Sequence, residues 1–352
     1  MSGGSTSPSW DDGWATGAAA DLRPGLATSI GSLPHTDPRA AATFVLERHP
    51  RLPAAPSLPN RSGVERMIAQ AAWGIRGIDV LCDGSLRVDD PSALDPRAPL
   101  ADPGIDGEPF VALRAFLGAV TGRRGPIKLQ LTGPLTLGIA LHSVGVPART
   151  AFAVAGAAVR ARARSLLAAT REVAPMAPLV VFVDEPSLTA AMHPGFPLDP
   201  DRTIDLVSSA LATLEPHAVT GLHCCGPADW RMVLQTGPQI LSLPLDAGAV
   251  DHAGAIGAFL ERDGWIAWGA VPTTGPLGST PERIWQQLSG EWCALTQGGC
   301  DPVLLREQAL ITPACGLAGH GEAQADLVLS LTNQVARRLE TQTFGMRLTV
   351  GA

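Results

Sequence analysis

The residues of this 352-residue chain best suited to chemistry are His223, Cys225 and Cys315. His223-Cys224-Cys225 closes an apolar run. Side chains of extended backbone alternate with a period of two, so His223 and Cys225 emerge on one side and Cys224 on the other. Cys315 stands 90 positions later, at the end of another apolar run. Imidazole nitrogen and thiolate sulfur are donors that tetrahedral Zn²⁺ prefers, and a catalytic zinc keeps or frees one position for substrate. Asp246 ends the run that follows His223 and offers a carboxylate as a further ligand. The plainer alternative treats the cysteines as small buried hydrophobes and His223 as a hydrogen-bonded core residue. Cys82, Cys293 and Cys300 read as structural, and Cys224 as packing.

Two other groups stand at the ends of apolar runs. Adjacent carboxylates Asp184 and Glu185 must face opposite sides of a strand, so one at most enters a pocket. Asp184 suits a cationic group such as an ammonium; the alternative is an N-cap for the next element. Gly31-Ser32 offers backbone N–H donors and a hydroxyl to a carboxylate, and reads equally well as a plain turn. Thr132-Gly133-Pro134 is a tight turn that lets a ligand approach.

The elements that must position these residues are short apolar runs alternating with helical patterns. The runs are Ala27–Gly31, Ala54–Leu58, Ile127–Leu131, Leu179–Val183, Val219–Leu222, Ile240–Leu245, Trp265–Val271 and Ala309–Thr312. Helices are predicted to open at Asp37-Pro38, Asp199-Pro200 and Thr280-Pro281, where a capping side chain precedes proline at the first helical position. Others cover Gly63–Ile75, Pro109–Val120, Val250–Arg262 and Gly321–Thr341, and the clearest, Ala- and Arg-rich, covers Pro147–Val173. Eight such units predict an α/β fold, a (β/α)8 TIM barrel, whose active residues lie at the carboxyl ends of the strands. The Asp- and Pro-rich stretch Val80–Gly107 is expected to be a hairpin-bearing insertion after strand 2. The expected organisation is a disordered leader over 1–22 and a single barrel over 23–345.

Composition narrows the function. A net charge of −7 argues against a nucleic-acid partner. No apolar run is long enough for a membrane span and no secretory leader is evident, so the expected location is cytoplasmic. There is no Tyr, and Lys128 is the only Lys, so a tyrosine acid is excluded and a Schiff base would fall to Lys128.

The ordered set Ile30-Gly31-Ser32-Leu33-Pro34, Leu131-Thr132-Gly133-Pro134-Leu135-Thr136, Val183-Asp184-Glu185-Pro186-Ser187-Leu188, His223-Cys224-Cys225 and Pro313-Ala314-Cys315-Gly316-Leu317 resembles the catalytic C-terminal barrel of cobalamin-independent methionine synthase. That family belongs to the superfamily that includes uroporphyrinogen decarboxylase. The resemblance runs from about Ala27 to the last helix. It implies a TIM barrel with zinc held by His223, Cys225, Cys315 and, in place of the family's Glu, Asp246, one methylene shorter. It further implies homocysteine as the thiol substrate, bound as a thiolate, with Ser32 and Asp184 holding its carboxylate and ammonium.

The sequence also departs from that family. The family's N-terminal barrel has no counterpart in these residues. Its folate-stacking tryptophan falls near Ala140, and its proton-donating histidine is replaced by Pro272-Thr273-Thr274. The thiol half of the site is kept and the donor half changed. That implies a methyl donor other than the usual methyl-folate, a methyl-pterin or a methyl-corrinoid protein. His35 and His320 stand as replacement proton donors and equally as plain loop residues. Two competing expectations are a uroporphyrinogen decarboxylase-like enzyme, for which no arginine cluster is evident, and a non-catalytic zinc- or thiol-binding barrel.

Overall fold

The structure, a computed structural model, describes residues 22–274 and 280–350, with side chains to residue 343. Among the described residues the strands are β1 (Leu26–Ala27), β2 (Ile78–Val80), β3 (Leu86–Val88), β4 (Ile127–Thr132), β5 (Leu179–Asp184), β6 (Val219–His223), β7 (Ile240–Pro244), β8 (Trp265–Val271) and β9 (Ala309–Pro313). Seven of them form one parallel sheet in the order β1-β9-β8-β7-β6-β5-β4. β2 and β3 pair antiparallel in a separate two-stranded sheet, which straddles the start of the Asp- and Pro-rich region. The leader expected over 1–22 falls outside the described residues except for Leu22, which is buried.

The strands are continuous apolar runs because both faces of the sheet are covered. In β5, Val180 and Phe182 meet Leu26, Val219, Ile240, Ala267 and Leu310 in one cluster. Val181 and Val183 point the other way, into the larger cluster shared with the helices. Most connections are helices with legible caps. Asp37 accepts from Arg39 N and Ala40 N at the start of Pro38–Arg48, Asp199 from Arg202 N at Pro200–Leu214, and Thr280 from Arg283 N at Pro281–Gln297. The predicted long helix is found over Ala148–Val173.

The expected second strand is the main difference. Residues 53–57 lie between β4 and the segment that follows β1, with two isolated parallel bridges, Ser32 to Ser57 and Ala54 to Lys128. Ala55 N donates to Lys128 O, Lys128 N to Pro53 O, Leu33 N to Ser57 O and Ser57 N to Gly31 O. Pro53 and Pro56 have no N–H to give, so the segment bridges both neighbours without forming a regular ladder. β1 is likewise two residues long, shorter than the predicted Ala27–Gly31. Gly31 sits at φ +146, outside strand geometry.

Candidate metal centre

Register and alternation build the site. Thr132, Asp184, His223 and Ser242 are successive Cα partners across β4, β5, β6 and β7. They stand on the carboxyl end of the sheet, and Asp184 continues the Val180–Phe182 face that points inward. Glu185 faces the other way. Its two carboxylate oxygens accept from Leu135 N and Thr136 N, both at 2.7 Å, and so cap the helix Pro134–Ser143. A Cβ on Gly133 would lie 2.1 Å from that carboxylate, so the close approach requires glycine there. Thr132 Oγ1 donates to Met67 O at 2.8 Å. The Thr132-Gly133-Pro134 turn thus serves packing and capping.

His223, Cys225 and Cys315 come together, each offering one donor atom within 4.8 Å of the other two. His223 is the last residue of β6, Cys225 follows two residues later, and Cys315 lies two residues beyond β9. Cys224 points into the outer core, where burial pushes its thiol up to about 12. His223 Nδ1 pairs with Ser242 Oγ at 3.0 Å. Its Nε2 is buried with no hydrogen-bond partner. Burial, helped by the charge of Lys128, lowers the imidazole to about 3, which leaves it neutral. A buried imidazole nitrogen with a free lone pair facing two sulfurs is unfavourable unless something accepts that pair.

The donor set fits zinc. Bond lengths near 2.3 Å to sulfur and 2.0–2.1 Å to nitrogen place neighbouring donors of a tetrahedral site about 3.5–3.8 Å apart, a modest closing of the observed cluster. A hydrogen bond with Cys315 lowers the Cys225 thiol to about 6, while Cys315 is pushed well above the ordinary thiol range by the same bond and by burial. The two sulfurs thus lie close enough to act on each other's protons, and both must give them up to a cation they share. Cys225 is exposed and Cys315 partly so, which leaves the cluster open at the rim.

Asp246 is not in this cluster. It is exposed in the turn after β7, and its charge acts on Glu291 in the helix Pro281–Gln297. β7 ends at Pro244, and the turn breaks the alternation that would have carried Asp246 inward. The residue that β7 does send to the site is Ser242, beside the His223 ring. The cluster is a three-donor set among the described residues.

The remaining candidates lie around it. Asp184 Oδ1 is buried without a partner, and burial raises the carboxyl to about 7, with Lys128 opposing that rise. Ser32 is adjacent to the Cys315 loop: Leu317 N donates to Ser32 O at 2.8 Å, and a Cβ on Gly316 would meet Ser32 Oγ at 2.1 Å. Gly31 packs beneath it against Gln130. Ala140 is a half-buried residue of the helix Pro134–Ser143, and Pro272 and Thr273 are half-buried just beyond β8, in a loop whose residues 275–279 lie outside the described set. His35 is buried against Phe44, ring centroids 4.7 Å apart, with Nδ1 unpartnered, and His320 is a partly buried loop residue.

Neither a family model nor a curated protein matches this chain. Among solved structures it is similar to a B12-independent methionine synthase from Shewanella sp. W3-18-1 in complex with selenomethionine. The TM-score is 0.61 at 15% identity, over 92% of this chain and 99% of that one. At that identity the likeness establishes the fold.

Proposed function

We propose that residues 23–345 form a single closed (β/α)8 barrel carrying a zinc-dependent methyltransferase site, which transfers a methyl group to homocysteine to give methionine. The bridges of residues 53–57 to β4 and to Ser32, in the segment after β1, support closure. The convergence of His223, Cys225 and Cys315 at the carboxyl end of the parallel sheet carries the functional reading. The selenomethionine in the similar structure is the selenium analogue of the proposed product, which supports the substrate class.

Zinc held by His223, Cys225 and Cys315 would supply one open position that binds the substrate thiol as its thiolate, the nucleophilic form. The chain's own residues do the rest. His223 is kept neutral and aimed by Ser242, so that Nε2 faces the metal position. Asp184 Oδ1 has no hydrogen-bond partner among the described residues and accepts an N–H from the substrate ammonium. Ser32 Oγ and the backbone N–H groups of Gly31-Ser32 hold the carboxylate. Fixing both groups on the α-carbon orients the sulfur toward the metal position, a proximity effect worth several kcal/mol. The rim beside Cys225 then receives the donor, a methyl-pterin or a methyl-corrinoid protein.

The test is turnover by zinc-loaded protein with homocysteine and a panel of methyl-folates and methylcobalamin. Methionine is expected from at least one donor. Homocysteine binding without methionine under every donor would reduce the protein to a thiol-binding barrel.

A further inference from the structure

Lys128 is the only lysine of the chain, its side chain is fully buried, and the proposed reaction gives it no role. It lies on the interior face of β4, with Nζ 4.5 Å from the centre of the Phe182 ring. An ammonium removed from water is costly unless it is well bonded. Here Nζ donates to Ile30 O at 2.8 Å and to Gln130 Oε1 at 3.2 Å. Gln130 in turn donates from Nε2 to Ala55 O at 2.5 Å. Gly31, the residue after Ile30, lies so close to the Gln130 amide that a Cβ would stand 2.4 Å from Nε2.

These bonds fall where the backbone pairing is weakest. The segment after β1, residues 53–57 and β4 meet there through isolated bridges, not a ladder. Two side chains on β4 therefore fix the height and tilt of the turn that follows β1. That turn presents Gly31 and Ser32 to the site, and Ser32 touches the loop bearing Cys315.

We propose that Lys128 is a positioning residue: through the Ile30 carbonyl and Gln130 it sets the Gly31-Ser32 turn that reads the substrate carboxylate, and so sets the preference for an amino-acid thiol over the same thiol without its carboxylate. The proposal rests on the methyltransferase reading above. Lys128 makes no hydrogen bond to the metal donors, and its charge acts on His223 and Asp184 from the same interior face. A merely structural role would weaken all thiols alike, whereas the positioning role weakens only those that have a carboxylate to be read.

The test compares homocysteine with 3-amino-1-propanethiol, which keeps the ammonium and lacks the carboxylate, by calorimetry on the zinc-loaded full chain, for wild type, Lys128→Met and Gln130→Met. Wild type is expected to prefer homocysteine. Both variants should lose about tenfold or more of that preference, the loss expected for a hydrogen bond to a charged group. Lys128→Met also removes a charge that acts on His223 and Asp184, so it is read by the ratio of the two thiols, and Gln130→Met, which keeps that charge, should leave zinc stoichiometry and aminothiol affinity unchanged. An unchanged preference, or equal weakening of both thiols, overturns the proposal. Should Lys128→Met not fold, Gln130→Met decides by the same ratio, because it breaks the second half of the tether at a residue that is only half-buried. Wild type binding neither thiol would overturn the methyltransferase reading itself, and with it this proposal, before any variant is compared.

Discussion

His223 is a ligand candidate because of what its other nitrogen does. Ser242 Oγ takes up Nδ1, which leaves Nε2 as the free, buried lone pair directed at the two sulfurs. An outer hydrogen bond of this kind fixes ring orientation and raises ligand basicity. Ser242→Ala should therefore weaken zinc binding about 10- to 100-fold, measured by competition with a chromophoric chelator. Unaltered affinity would remove Ser242 from the account. The histidine and Cys225 were legible in the sequence because a period of two places them on one side, and Cys315 because it stands at a matching strand end. Asp246 stands outside that cluster because β7 ends at Pro244, and strand ends are legible in a sequence only to within a residue or two. Ser242 was not legible, and Lys128 only as the lysine to which a Schiff base would fall: a serine or lysine inside an apolar run has no motif, and only the strand register reveals what it faces.

At the scale of elements, the adjacent carboxylates divide their work as alternation requires, Asp184 inward and Glu185 onto a helix N-terminus, where N–H groups lack intrahelical partners. A second such junction joins the end of the helix Pro38–Arg48 to the helix Glu322–Val350. Asn333 Nδ2 donates to Arg48 O at 2.7 Å, so its Oδ1 accepts from His49 Nδ1 at 3.2 Å. Burial lowers His49 from 6.5 to about 4, with Asn333 opposing and Arg48 adding to the shift. The unfolded chain thus binds a proton that the folded chain refuses between about pH 6.5 and 4. Stability from this residue is complete above pH 6.5 and is lost as pH falls through that window, by up to about 3 kcal/mol. Glu185, raised to about 7 by burial, acts with the opposite sign. The stability difference between wild type and His49→Gln in urea isolates the histidine, and it should shrink or reverse in favour of the variant as pH falls from 7 to 4.5. A difference that does not vary with pH would contradict the assignment.

For the molecule as a whole, alternating apolar runs and capped helices were sufficient to read a parallel α/β architecture, because capping and strand burial are local properties of sequence. The seam between β1 and β4 was not legible as such. Its second run looks like a strand by hydrophobicity, yet Pro53 and Pro56 limit it to isolated bridges, and long-range side-chain bonds from Lys128 and Gln130 hold it. Among the described residues no helix is long and apolar enough to cross a membrane. The parallel sheet brings donors from β6 and from beyond β9 to one end, and the function proposed depends on that end holding an ion with a vacant position. X-ray absorption at the zinc edge measures this directly. Protein purified without chelators should contain about one zinc per chain, with two sulfurs and one nitrogen from the protein in its first shell, and homocysteine should add a third sulfur. A chain that carries no zinc, or a shell whose sulfur count does not change when homocysteine is added, would contradict the account.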